Sequence, residues 1–188
     1  MNDNNHRMDF EVGRDIRLAF TYVRAVFRET AQLIDILDEM MGPGWKPPRS
    51  AAITEGLSRD LKRPDDWVVS DVFRIYHRRD EPDARVGITI TYLHPRIDQP
   101  ILIGGRIDYP PDQIAGPDDT SHRWDLRNAW FEAGSEDKKT DGTPYRVRFD
   151  DATPEDGAAE AEIFAIPLVG IQFEDDIRNK VYDRLMDL

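Results

Sequence analysis

Cysteine is absent, and only four histidines, His6, His77, His94 and His122, offer imidazole chemistry. None of them stands at the i, i+3 or i, i+4 spacing by which a helix presents two imidazoles to one ion, so no bound metal is expected. The lack of thiols excludes disulfides, thiolate metal centres and cysteine nucleophiles. Asp137, Lys139, Asp141 and Gly142 are spaced like the start of a calcium loop. Lys139 takes the place of an oxygen ligand there, however, and Arg148 stands where a bidentate glutamate belongs. With no phosphate loop, dinucleotide fingerprint or Gly-x-Ser-x-Gly elbow, no cofactor is expected either.

Two constellations remain. Arg74, Tyr76 and Arg106 lie in segments of period two, and an antiparallel pairing of Ile75 with Ile88 and of Ile103 with Ile90 sets them on one sheet face. Gly87, Thr89 and Gly104 would form the floor of that face. Two guanidinium forks beside a glycine floor suit a phosphate or carboxylate, and they equally suit an ordinary wetted sheet face. The same register puts Asp71 on the apolar face, opposite Tyr92 and diagonal to His94. A carboxylate there needs a partner, and an Asp/His/Tyr group can serve as acid and base or simply as a polar cap on the core.

The elements that must position these residues follow from periodicity. From Asp9 to Met41 apolar residues recur at alternating steps of three and four (Ile16, Ala19, Val23, Val26, Thr30, Leu33, Leu37, Met40), which predicts a long amphipathic helix. Residues 1–8 are expected to be disordered. Residues 42–66 read as a proline-rich connector with a short helix around Ile53, Leu57 and Leu61. Residues 67–171 read as an antiparallel sheet of about six strands, with Trp124–Phe131 taken as one of them and residues 110–122 as a polar loop. A C-terminal helix is expected over 173–187. The fold class is therefore α+β in a single domain, which 188 residues allow.

With 37 acids against 25 bases the formal charge is -12. Such a field repels phosphate backbones and anionic lipid, so neither nucleic acid nor membrane is expected as a partner. No segment approaches the roughly 20 apolar residues of a membrane span, and no secretory signal is seen, so a cytoplasmic location is expected.

At about 1.5 Å per residue the first helix is about 50 Å long, against a diameter of about 40 Å for a compact chain of this size. It is expected to overhang its own domain. Arg17, Arg24 and Arg28 occupy its first half and Asp35 and Asp38 its second, against the helix dipole. An antiparallel copy would set the two halves side by side, as two-fold symmetry requires. The sequence thus favours a non-enzymatic interaction or regulatory protein, of the kind that masks a basic partner or pairs with itself. An anion-binding domain is the alternative, and a hydrolase using Asp71 and His94 is the third.

Overall fold

The structure is a computed structural model that describes residues 3–47, 53–54, 62, 68–110, 125–131, 139–148 and 160–188, with side chains from residue 11 onward. Leu57, Leu61, Trp67, Trp124 and the expected polar loop beyond residue 110 lie outside the described residues.

A long helix, α1 (Asp3–Met41), opens the chain. It begins six residues before the periodic stripe does, since nothing in that polar stretch breaks a helix already nucleated downstream. It stops where Gly42 takes φ +66° and returns its N–H to the Asp38 carbonyl at 3.4 Å. A left-handed cap of this sort favours glycine, and Pro43 cannot extend the ladder.

Six strands follow: β1 (Trp45–Lys46), β2 (Asp71–Arg78), β3 (Ala84–Thr91), β4 (Ile101–Asp108), β5 (Tyr145–Arg148) and β6 (Glu160–Pro167). They form one antiparallel sheet in the order β1-β2-β3-β4-β6-β5. Helix α2 (Asp125–Phe131) lies between β4 and β5 in the chain. The C-terminal helix runs as α3 (Glu174–Ile177), a π-helical turn (Arg178–Tyr182) and α4 (Asp183–Met186). The architecture is α+β, with a long N-terminal helix, a six-stranded antiparallel sheet and a C-terminal helix. Both sheet edges are short strands, which limits pairing with other chains.

The sheet is covered on both faces. On one, Val72, Tyr76, Ile88, Ile90, Leu102 and Phe164 pack against Leu33 and Leu37 of α1 and against Val181 and Leu185 of the C-terminal helix. On the other, Ile103, Ile107, Ile163 and Ala165 pack against Leu126, Ala129, Trp130 and Phe131 of α2. Burying several such side chains on each face, at about 1.5–3 kcal/mol each, supplies the main cohesive force.

Two sequence expectations are corrected here. The segment ending at Phe131 is helical, not extended: Leu126, Ala129 and Trp130 step by three and four, which turns all three toward the sheet. The sixth strand comes instead from the connector, where Trp45 and Lys46 pair with Arg78 and His77.

The second correction is one of register. Ile75 pairs with Gly87 and Ile88 with Arg74, while Ile103 pairs with Thr89, one residue away from the expected alignment in both cases. The expectation assumed one wet face, so that apolar residues had to share a side. With both faces buried, alternation loses that power and shape decides. Gly87 lies tight against the backbone of Arg74 and Ile75, and Gly104 accepts the edge of the Phe164 ring. Pro167 is the last residue of β6, paired with Ile101, where its missing N–H interrupts nothing.

Candidate functional site

Arg74, Tyr76 and Arg106 do share one sheet face, the one under α1, because Arg74 pairs with Ile88 while Tyr76, Val86 and Arg106 form the next row. Gly87 and Thr89 lie on the opposite face, so only Gly104 of the expected floor remains beside the arginines. The anion facing Arg74 and Tyr76 is the protein's own. Asp38 of α1 accepts from Arg74 Nε at 2.9 Å and from the Tyr76 hydroxyl at 2.7 Å, and it also pairs with Arg74 Nη2. Arg106 lies between Glu81, at 3.0 Å, and Asp108, at 2.9 Å. These carboxylates occupy the donors that a bound anion would need.

The same contacts tune the phenols. Burial, then the bond and charge of Asp38, push the Tyr76 hydroxyl well above its ordinary pKa. Burial also raises that of Tyr92, partly offset by its bond with Thr30. A raised folded value means that stability is fully present below the unfolded pKa near ~10 and is lost as pH climbs past it, by up to about 1.4 kcal/mol per pH unit per phenol. Urea midpoints measured from pH 9 to 11 should therefore fall with pH, and Tyr76→Phe should flatten the fall. An equally steep decline in that variant would show that the Tyr76 phenol is not the source.

Asp71, Tyr92 and His94 are not brought together as a group. Asp71 shares a face with Thr91 and α2, whereas Tyr92 packs on the α1 side. The Asp71 carboxylate accepts from Thr91 Oγ1 and from Ser70 Oγ, each at 2.7 Å, and meets Arg127 Nε at 3.3 Å. Arg127 also lies over the Phe131 ring, while His94 stacks on the other component of that contact, Phe131 itself, at 3.7 Å between centroids. The Nδ1 of His94 accepts the Arg96 N–H at 3.2 Å. This arrangement ties β2, β3 and α2 together through one partly buried ion pair. Sequence reasoning missed Arg127, because a strand through that segment hides the helical spacing that turns it toward Asp71.

Of the α1 charges, Arg17, Arg24, Arg28 and Asp35 are exposed, and Asp38 is committed to Arg74 and Tyr76. At helical spacing the three arginines lie on the back of the rod, away from the apolar stripe. That stripe is the unexpected feature. Its second half, Leu33, Ile34, Leu37 and Met41, is buried, but its first half is bare: Val12 is 55% exposed, Ile16 54%, Phe20 67% and Val23 37%. Large apolar side chains grouped on one exposed helix mark an interaction surface far more often than isolated ones do.

Among the described residues, no cluster of three or more histidines or carboxylates is placed to hold a metal ion. No helix described is long and apolar enough to cross a membrane. Comparison with protein-family models, with curated proteins and with solved structures finds no match to this chain.

Proposed function

We propose that this is a non-enzymatic interaction protein, regulatory in character, that docks a protein partner on the bare first half of α1. The observation that carries this reading is the change of state along one stripe. The residues that continue Leu33 and Leu37 toward the N-terminus, Val12, Ile16 and Val23, have the same helical phase, yet are exposed among the described residues. The overhang spans more turns than a free helix of ordinary sequence sustains in water, and it is held by templating from the packed half. Retaining such a rod without a covering surface exposes apolar area that a partner would remove from water, at about 25 cal/mol per Å². The excess of 37 acids over 25 bases disfavours nucleic acid and anionic membranes as that partner. The paired state of Arg74, Arg106 and Asp71 supports neither anion capture nor proton transfer as the main role.

A photo-reactive residue placed at Phe20 or Ile16 and activated in the native host tests this. Covalent protein adducts are expected at both positions, with few at Arg28 on the back of the same helix. Absence of adducts along the stripe, or equal yields front and back, would contradict docking there.

A further inference from the structure

We infer that Arg184 is a latch that fastens the edge strand β5 over β6, and that the π-helical turn of the C-terminal helix is what aims it. The inference is independent of the docking reading and concerns how one border of the sheet is kept closed.

Helical phase carries the first half of the argument. The C-terminal helix buries Ile177, Val181 and Leu185 against the sheet. At about 100° per residue, a continuous α-helix would turn Leu185 about 80° away from Ile177 and set Arg184 within about 20° of it, a guanidinium on the core side. The turn Arg178–Tyr182 prevents this, since the Asp183 N–H bonds to the Arg178 carbonyl, five residues back. One surplus residue is absorbed there. Everything after it is set back by one position, about 100°, so Leu185 returns to the line of Ile177 and Arg184 swings to the flank.

On that flank lies the turn that leads into β5. Arg184 donates through Nη1 to the Gly142 carbonyl, and its guanidinium lies 5.8 Å from the centre of the Phe164 ring. Gly142 has φ +83°, a conformation that favours glycine, and its own N–H bonds to the Ala165 carbonyl of β6 at 2.9 Å. A side chain on Gly142 would occupy the place of the guanidinium. Helix, turn and β6 thus meet at one residue.

Strand β5 needs such a hold. It is four residues long and borders the sheet. Toward α2 it has Val147 in the core and Tyr145 edge-on to Trp130 at 5.9 Å. Toward the C-terminal helix it presents only Arg146 and Arg148, both exposed, and the pairs of Arg146 with Glu160 and Glu162 are of the wetted kind that hold weakly. Among the described residues, Arg184 is the hold from that side. Beneath it, β6 carries Ile163, Phe164, Ala165 and Ile166 consecutively. With β5 lifted, these would form an apolar edge open to pairing with another extended chain, which the latch prevents.

Amide hydrogen exchange on the full chain tests the latch. Arg184→Met keeps the aliphatic stem and removes the donor. Exchange over residues 142–148 is expected to rise about tenfold or more while β2 and β3 keep their rates, and Arg184→Lys, which retains a donor, should recover part of the protection. Deleting Asn179, an exposed residue of the π-helical turn, should leave a continuous α-helix with Leu185 and Arg184 in their present directions, and exchange over 142–148 like that of the wild type.

Unchanged exchange in Arg184→Met would overturn the latch. So would an equal rise in every strand, which would make Arg184 a support of the whole fold. Fast exchange over 142–148 in the Asn179 deletion would overturn the role given to the π-helical turn.

Discussion

Gly87→Ala is expected to leave little folded protein. A Cβ at that position would lie 2.4 Å from the Arg74 carbonyl oxygen and 2.9 Å from the Ile75 Cα. Both are backbone atoms of the neighbouring strand, which cannot step aside as a side chain can. Overpacking relieved by side-chain movement typically costs about 1–3 kcal/mol. Here β2 and β3 would have to part in the row of Ile75, Gly87, Gly105 and Ile163, and the cost should be about 4 kcal/mol, a large share of an ordinary domain's stability. Urea denaturation of whatever soluble protein is recovered measures this. A loss of less than about 1 kcal/mol would mean that the strands do not approach as closely as described.

Asp71→Ala should also be strongly destabilising, by a different route. It removes the acceptor of Thr91 Oγ1 and Ser70 Oγ and leaves the Arg127 guanidinium without its carboxylate at the edge of the α2 core. Asp71 is buried but the Arg127 guanidinium is a quarter exposed and can hydrate, so the loss falls below that of a fully buried pair, at about 2–3 kcal/mol, most of it from the hydroxyls left without their acceptor. Asp71→Asn keeps the shape and part of the hydrogen bonding and should cost less. In a double-mutant cycle with Arg127→Met, the two losses should be clearly less than additive. Strict additivity would show that Asp71 and Arg127 do not interact and that α2 is held by its apolar contacts alone.

Much of this fold was legible from period alone. The alternating three-and-four steps through Ile16, Val23, Leu33 and Leu37 give α1, and the Gly42-Pro43-Gly44 stop gives its end. Periods of two locate β3 and β4 within a residue or two, while β2 starts at Asp71, later than the period of two that begins at Trp67 suggests. The pairing between strands was not legible, since it depends on what covers each face, and that is a tertiary property. Asp71 shows the consequence. Its burial was correctly anticipated, but the one-residue difference in register exchanged Tyr92 for Thr91 as its neighbour and put Arg127 within reach.

Asp38 teaches a related lesson. Its place in a row of helix acids marked it as an interface charge, whereas the structure turns it inward to hold Arg74 and Tyr76. Nothing in the spacing of α1 distinguishes Asp38 from Asp35, because the distinction lies in which strand passes beneath. The overhang, by contrast, follows from length: 39 helical residues outrun the eight-residue strands that support them.

The central claim is that α1 has two states along one stripe, locked from Thr30 to Met41 and bare before Phe27. Amide hydrogen exchange on dilute protein, resolved along the helix, tests it most directly. Amides of residues 30–41 should exchange only through global unfolding, while those of residues 11–25 should exchange orders of magnitude faster. Uniform, strong protection over the whole helix in dilute solution would contradict the account, because it would mean that the first half already lies against its own chain.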